Sequence, residues 1–226
     1  MSIPLWTLEL HCHTIYSHDS LLRLDAIQGI CRERGIDRIA ITDHNRAKGA
    51  LELAHMYPML IIPGEEIMTT RGELLAWYIK EEVPPGLSPQ ATIDRLREQG
   101  ALIGVAHPMD RYRKGAWQMA DLLAIIDQVD VIEVFNARCL HAEDNRRALA
   151  FAEKYGKLKS AGSDAHTPRE YGRATVKVRP FANNAEGLRQ ALADAQFETR
   201  LSGVGVHLSS TYAKWIKRLI PSLRVK

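Results

Sequence analysis

Cysteine is scarce in this chain, and the three that are present, Cys12, Cys31 and Cys139, are widely spaced. An odd number of cysteines without a C-x-x-C pair argues against a disulfide framework and against a thiolate zinc site. The sequence therefore predicts a protein of a reducing compartment, and we expect a cytoplasmic location.

Long apolar runs and a dense excess of positive charge are also missing. No run is long enough to cross a bilayer, and because His11 comes so early in the sequence we expect no signal peptide. A net charge of +3 suits an anionic substrate but falls far short of the basic stripe of a duplex-binding module. We therefore do not expect long duplex nucleic acid as a partner.

What the chain does contain is an alternation of short apolar runs with helical segments. Helical spacing over residues 22–34, 89–99 and 142–155 is followed each time by a glycine, the residue that commonly terminates helices. Apolar runs over residues 6–10, 36–42, 59–62, 73–79, 101–106, 129–135 and 158–162 predict buried strands. Serial strand–helix units indicate a mainly parallel sheet, and about seven strands favour a barrel.

Metal-ligand side chains follow five of these apolar runs. The pairs His11-x-His13 and Asp164-x-His166 have the i, i+2 spacing that places two side chains on one face of a strand. Side chains at the carboxyl ends of successive strands meet at one mouth of a barrel, and imidazoles with carboxylates there suit a divalent metal. A lone histidine is usually a core or surface group, but that interpretation does not explain two such pairs.

Four blocks of this sequence resemble the PHP (polymerase and histidinol phosphatase) family. They are residues 10–14 (LHCHT) with 17–20 (SHDS), 41–45 (ITDHN), 63–67 (PGEEI) with 106–108 (AHP), and 161–166 (AGSDAH). The resemblance spans residues 8–167, and residues 64–75 and 133–138 look like the stand-alone PHP proteins. It implies a distorted (β/α)7 barrel that binds two or three divalent metal ions and hydrolyses phosphoesters.

Carried over by position, the resemblance implies three groups of metal ligands. The groups are His11, His13, Glu66 and Asp164, with Glu66 bridging; His107, which shares Glu66; and Asp19, His44 and His166. These donors are compatible with manganese, iron or zinc. Asp43 is expected to orient His44 or to cap a turn, and Glu65 to face solvent or support the site from behind.

Two positions depart from the family pattern. Many PHP enzymes have a histidine before the strand that follows the glutamate block, where this chain has Glu73. Glu73 is either a supporting or substrate-facing acid or an ordinary strand-edge residue. A further histidine of the family pattern is replaced by Asn136, with His141 a little beyond. One metal ion is therefore expected to be weakly held or absent.

The resemblance also implies how the site works on a phosphoester. Clustered divalent ions activate water and neutralise phosphate charge. The candidate phosphate-binding residues are Arg111, Arg113, Arg138 and Arg169, and the candidate catalytic residues are Asp19, Arg138 and His166. His166, or His141 if it binds no metal, would protonate the leaving alkoxide. The expected substrate is a small phosphorylated metabolite or nucleotide, with histidinol phosphate and nucleoside phosphates or bisphosphates as options.

Two other functions fit the same residues. Similar metal-loaded barrels hydrolyse C–N bonds, although arginines near the mouth favour phosphate over a neutral amide. A non-catalytic, metal-stabilised binding or regulatory domain is the third alternative, and the nearly complete ligand set argues against it.

The last residues of the chain differ in character from the rest. We expect residues 1–202 to form the barrel and residues 203–226 to form a basic amphipathic tail, with Trp215, Ile216 and Leu219 at helical spacing. A membrane-surface or nucleic-acid role is one interpretation. We favour the other, a terminal helix that packs its apolar stripe on the barrel and leaves its lysines in water.

Overall fold

A computed structural model describes residues 4–203, 205–220 and 223 of the chain. Within these residues, strands and helices alternate along most of the sequence. The strands are β1 (Trp6–Glu9), β2 (Arg38–Ile41), β3 (Ile61–Met68), β4 (Glu73–Trp77), β5 (Leu102–Val105), β6 (Val131–Asn136), β7 (Leu158–Gly162), β8 (Ala174–Val178) and β9 (Gln196–Thr199). The α-helices are α1 (Ile27–Arg34), α2 (Lys48–Met56), α3 (Pro89–Gln99), α4 (Met119–Ile125), α5 (Ala142–Lys154), α6 (Ala185–Leu192) and α7 (Val206–Leu219).

The strands form one sheet in the order β7-β6-β5-β4-β3-β2-β1-β8-β9. The sheet curls until the segments that follow β1 and β7 meet, where Cys12 pairs in parallel with Ala165. Two backbone hydrogen bonds hold this seam: the amide of His13 donates to the carbonyl of Ala165, and that of Asp164 to the carbonyl of His11, both at 2.8 Å. The result is a nearly closed barrel, which confirms the predicted fold class.

Strand direction departs in part from the predicted parallel sheet. The seven predicted strands are all present, and the pairs β1–β2, β2–β3, β5–β6 and β6–β7 are parallel. Strand β4 is antiparallel to both its neighbours, because it follows β3 after a four-residue turn that is too short for a crossover helix. Strands β8 and β9 were not predicted; β9 is largely exposed and lacks an apolar run.

Glycines end the helices as predicted. Helix α1 stops at Gly35 and helix α3 at Gly100, and both glycines adopt the left-handed conformation, with φ of 64° and 74°. Helix α5 ends at Lys154, and Gly156, with φ of 61°, follows two residues later. These positive φ angles strain any residue with a side chain, so the glycines fix where each chain segment turns towards the next strand.

Apolar side chains from strands around the barrel fill its interior. Leu8, Leu10, Ile62, Leu75 and Trp77 belong to this cluster, and each is at most 1% exposed. The indole Nε1 of Trp77 donates a hydrogen bond of 2.9 Å to the carbonyl of Leu10, the residue before His11. The barrel interior therefore forms a packed floor beneath the end of β1.

The carboxyl-terminal helix α7 packs on the barrel, but not entirely as the sequence suggested. Lys217 is buried and donates from Nζ to the carbonyls of Ile15 and Ser17, each at 2.5 Å. The expectation that the lysines of this segment all lie in water is therefore wrong for Lys217. Arg224 and Lys226, which the sequence assigns to the basic tail, lie outside the described residues. None of the helices described is long and apolar enough to span a membrane.

Candidate metal centre

Imidazoles and carboxylates from five chain segments meet at the carboxyl end of the barrel. All the predicted metal ligands are brought together there, and all but His44 are buried. Glu66 differs from the prediction in one respect: it lies inside β3 and not after it, because β3 continues to Met68. Neighbouring side chains of a strand point to opposite faces, so Glu66 faces the cluster while Glu65 faces away.

The first group surrounds one oxygen of Glu66. The Nε2 atoms of His11 and His13 each lie 3.4 Å from Glu66 Oε2 and 3.2 Å from each other. His13 Nε2 is also 3.1 Å from Asp164 Oδ1. A four-coordinate ion with ligand bonds near 2.1 Å has ligand atoms about 3.4 Å apart, so these separations have the size of a coordination polyhedron.

The second group surrounds the other oxygen of Glu66. His107 Nε2 is 3.0 Å from Glu66 Oε1 and 3.5 Å from Glu73 Oε2. Glu66 therefore directs one oxygen to each group, as a bridging carboxylate must. Glu73, which the sequence left open, lies within this group and is 7% exposed.

The third group is built around Asp19. Asp19 Oδ1 is 3.2 Å from His166 Nε2, and Asp19 Oδ2 is 3.6 Å from His44 Nε2. His44 Nδ1 lies 2.8 Å from Glu66 Oε2, which joins this group to the first. The neighbouring His18 is mainly outside, with 63% of its side chain exposed and Nε2 3.8 Å from Asp19 Oδ2.

Several of these buried atoms have close neighbours but make no hydrogen bond of acceptable geometry with any of the described residues. They are Asp19 Oδ1, Glu66 Oε2, Asp164 Oδ1 and His166 Nε2. A buried polar atom left without a partner costs about 1–3 kcal/mol, and more when it carries charge. One or more divalent cations would satisfy these oxygens and this nitrogen together, so the residues present fit a metal centre.

Neighbouring charges set the protonation of the ligands. Burial acts to raise the pKa of Asp164, but Arg113 and His11 hold it well below its usual value. Burial, with the adjacent His166 and His44, lowers the pKa of His13 well below its usual value. An ionised carboxylate and a neutral imidazole are the forms that bind metal, so both groups are prepared for coordination.

Glu133 is a part of the site that the sequence reasoning did not single out. Its Oε1 lies 2.8 Å from His11 Nδ1, while its Oε2 accepts from the amide of His107 at 2.7 Å and from Asn136 Nδ2 at 3.1 Å. A carboxylate behind a ligating imidazole fixes its tautomer and orientation. The signal in the sequence is a single acidic residue inside the otherwise apolar run of β6.

Asp43 and Ser17 support the ligands of the first and third groups. Asp43 accepts hydrogen bonds from the amide of Thr14 at 2.6 Å and from Ser17 Oγ at 2.7 Å, so it caps the turn that leads to Asp19. Ser17 Oγ is also 3.0 Å from His13 Nδ1. Glu65 accepts from the amide of Val83 at 2.9 Å on the far side of β3, and burial raises its pKa to about 8.

Of the four predicted phosphate-binding arginines, only Arg113 and Arg138 reach the cluster. Arg113 forms an ion pair with Asp164 and donates from Nη2 to Asn136 Oδ1 at 3.2 Å. Its Nε also lies 3.2 Å from Asp110 Oδ2. Asn136, at the position where the family pattern has a histidine, thus joins Arg113 in binding the outer oxygen of Asp164.

Arg138 is directed into the protein. Its Nη1 is 2.8 Å from His166 Nδ1, its Nε is 3.2 Å from Glu170 Oε2, and its Nη2 donates to Ser210 Oγ of α7 at 2.8 Å. These contacts link His166 to the carboxyl-terminal helix.

The structure does not bring Arg111, Arg169 or His141 into the cluster. All three are exposed. Arg111 lines a separate surface pocket with Trp117, and the ring of His141 lies beside that of Tyr112, with centroids 5.3 Å apart.

Two ligands sit on unusual backbone. His107 has φ of 26° and Asp164 has φ of 51°, a region that residues with a side chain rarely adopt. Such conformations cluster at functional sites, where the surrounding structure compensates for their cost.

Comparisons with known proteins find similar sequences. A sequence profile described as PHP domain matches residues 9–67, and one described as PHP-associated matches residues 142–197. An uncharacterized protein of Methanocaldococcus jannaschii is 40% identical over 172 residues, which cover 75% of this chain and 69% of that protein.

Solved structures share the fold at low sequence identity. A protein of Bifidobacterium adolescentis, provisionally assigned as a metal-dependent phosphoesterase, superposes with a TM-score of 0.62 at 18% identity, over 85% of this chain and 97% of that one. A lesion-specific endonuclease of Pyrococcus furiosus superposes with a TM-score of 0.64 at 15% identity, over 85% of this chain and 57% of that one.

Proposed function

The chain belongs to the PHP family of metal-dependent hydrolases, and from this premise we propose that it hydrolyses a phosphoester in a small phosphorylated metabolite or nucleotide. The observation that carries the proposal is the set of buried ligand atoms around Glu66 and Asp19 that make no hydrogen bond within the described residues. Their donor types suit manganese, iron or zinc.

The first two groups of ligands share Glu66, and Glu73 completes the second. We assign His11, His13, Asp164 and Glu66 to one ion, and Glu66, His107 and Glu73 to its neighbour. A side chain at Gly115 would come within 2.6 Å of the Glu73 carboxyl group, so the loop at Gly115 closes over this acid and confines it. Glu73 thereby supplies a ligand where the family pattern has histidine.

When bound, the ions would activate a water molecule and neutralise charge on the phosphate. Among the cationic side chains that the structure describes, Arg113 is well placed to reach that phosphate. It lies beside Asp164, and 18% of its side chain is exposed. A guanidinium group can bind two phosphate oxygens at once, which would orient the substrate.

His166 has two possible partners at Nδ1, and each selects a different role. The carbonyl of Asp164 lies 2.7 Å away and favours a proton on Nδ1, which leaves Nε2 to bind metal. Arg138 Nη1 lies 2.8 Å away and can only donate, which favours a proton on Nε2. In the second state His166, with Asp19 beside Nε2, would give its proton to the leaving alkoxide. Arg138 is then a positioning residue.

The test is a panel of phosphomonoesters, phosphodiesters and amides given to protein reconstituted separately with manganese, iron and zinc. We expect phosphoester hydrolysis that a chelator abolishes and that added metal restores. A Glu66→Gln protein purified in parallel controls for contaminating phosphatase. Hydrolysis of amides alone, or activity that survives complete metal removal, would overturn the proposal.

A further inference from the structure

Helix α7 carries a stripe of large apolar side chains that are more than half exposed. The stripe consists of Leu208, Tyr212, Trp215 and Leu219, which are 74%, 57%, 56% and 59% exposed. Successive members are four, three and four residues apart, and this spacing places all of them along one side of the helix. A helix that packs on a globular protein normally turns its apolar side inward, so an outward stripe indicates a surface for a partner.

The opposite side of α7 is fixed to the barrel. Ser210, Ala213 and Lys217 are buried on that side. Lys217 Nζ donates to the carbonyl of Ser17 at 2.5 Å. Arg138 Nη2 donates to Ser210 Oγ at 2.8 Å. The helix cannot turn its apolar stripe inward without breaking these hydrogen bonds, so the stripe is held towards the solvent.

The charge of this part of the chain favours one kind of partner. Residues 200–226 contain six basic residues and no acidic residue, which leaves a net charge of −3 on residues 1–199. A second copy of the chain would bring two such basic segments together, and repulsion between like charges disfavours that arrangement. Net charge acts at long range, so the preference for an anionic partner does not depend on any single cation being unpaired.

The residue types of the stripe favour a lipid surface as that anionic partner. Tyr212 and Trp215 each combine an apolar ring with a hydrogen-bonding group, and such side chains are enriched where a membrane meets water. The 14 residues of α7 make a helix about 21 Å long. A helix with an aromatic and leucine face and basic residues beside it can lie in the plane of a bilayer surface, with the apolar face among the lipid headgroups.

We propose that α7 is a docking surface for an anionic lipid bilayer, with its apolar stripe entering the headgroup region. The basic segment attracts the protein to the surface, and burial of the stripe then holds it there. The association is peripheral and reversible, because a single helix face buries little apolar area. The inference is independent of the proposed function, since it uses none of the metal ligands.

The test is co-sedimentation of the full chain with vesicles of two compositions. One set is pure phosphatidylcholine, and the other contains phosphatidylcholine and phosphatidylglycerol in equal amounts. We expect binding to the anionic set, with little to the neutral set, and weaker binding as salt screens the attraction. The fluorescence of Trp215 should also shift to shorter wavelength on binding, whereas Trp77 and Trp117 are already buried. Equal binding to both sets, or to neither, would overturn the proposal.

Glutamine substitutions connect vesicle binding to the stripe. Trp215→Gln combined with Leu219→Gln should weaken binding to anionic vesicles at least about tenfold, because apolar surface that the bilayer would bury is lost. Leu149→Gln is the matched control: it changes a leucine of helix α5 that is 38% exposed, and it should bind like the unmodified chain. A melting curve shows whether each variant is folded. Unchanged vesicle binding by the folded double variant would contradict the docking surface.

Light scattering distinguishes the other occupants of the stripe. We expect the unmodified chain and the double variant to have the same mass in solution. A dimer that the double variant dissociates would assign the stripe to a second copy, and the bilayer proposal would fail. A chain that binds neither vesicles nor a second copy would leave an acidic protein as the occupant, and the proposal would fail in that case too.

Discussion

The two ends of the barrel each carry a cluster of charged side chains, buried at the carboxyl end and partly exposed at the amino end, and the two clusters differ in how their carboxylates are paired. At the amino end of β6, Asp130 Oδ2 is 2.8 Å from Arg97 Nη1 and accepts from the amide of Ile103 at 2.9 Å. Its Oδ1 is 2.7 Å from Arg189 Nη1. At the carboxyl end, one oxygen of each carboxylate, Glu66 Oε2 and Asp164 Oδ1, makes no hydrogen bond among the described residues.

The comparison shows how the same residue types take a structural or a functional role. Both oxygens of Asp130 are satisfied by the chain, so this cluster contributes to stability and is complete by itself. The carboxyl-end cluster brings together acids and imidazoles whose remaining lone pairs need a partner from outside. Clustered charge is common to the two ends, and what distinguishes them is whether the described residues supply every hydrogen-bond partner of the carboxylates.

The largest effect is expected from Glu66→Gln. An amide cannot neutralise two cations, so we expect loss of at least one equivalent of metal and a fall in kcat/KM of at least about 100-fold, more than a supporting residue would cause. Elemental analysis, rate assays and a melting curve measure the three consequences. Glu65→Gln is the matched control, since its side chain lies on the other face of β3, and it should keep metal and activity. Full metal content in Glu66→Gln would show that Glu66 is not a ligand.

A smaller effect is expected from Glu133→Gln, which touches the cluster only through other residues. The amide of the new glutamine forms a weaker hydrogen bond with His11 Nδ1 than the carboxylate does. Metal affinity should therefore fall about 10–100-fold, as is usual when such a supporting group is changed. Competition with a chelator of known affinity measures the change. Activity should return at saturating metal, because the ligands themselves are intact. A loss that no metal concentration restores would contradict this role.

The smallest effect on function is expected at the other end, from Asp130→Asn. Burial opposes ionisation of Asp130, but Arg97 and Arg189 lower its pKa below the usual value. A lowered carboxylate pKa stabilises the fold above its unfolded value, near 3.8, and that stability is lost as pH falls through the folded pKa. We expect Asp130→Asn to cost about 1–3 kcal/mol of unfolding free energy at neutral pH and progressively less below about pH 4.

Denaturant melts across this pH range test the prediction for Asp130, with kcat/KM measured in parallel. Metal content and activity should match the unmodified chain. Loss of metal from Asp130→Asn would show that the two clusters are coupled, and the contrast between the two ends would then fail.

Local sequence signals were enough to predict much of the fold and the ligands of the centre. Apolar runs identified seven strands, and glycine placed the ends of α1 and α3. Ligand types at strand ends identified the residues that meet in the cluster. Strand β8 was missed because its apolar residues alternate with Thr175 and Lys177, and β9 was missed because it is an exposed strand at the sheet edge.

The rest of the site depends on contacts between distant parts of the chain. The role of Glu133 could not be predicted, because a single acidic residue in an apolar run does not indicate which histidine it will contact. The approach of Lys217 to Ile15 spans 202 positions, and the basic pattern of the tail is equally compatible with a solvated helix face. The tautomer of His166 depends on whether Asp164 or Arg138 is its partner, which only the folded arrangement defines.

The backbone seam that closes the barrel has a consequence for local opening of the sheet. The backbone bonds that close the sheet, from His13 to Ala165 and from Asp164 to His11, involve the ligand-bearing residues themselves. An ion held by His11, His13 and Asp164 would therefore act as a clasp across the joint. Local opening of the barrel would then require release of the ion. We expect amide hydrogen exchange at His13 and Asp164 to be slower when the ion is bound than when it is absent.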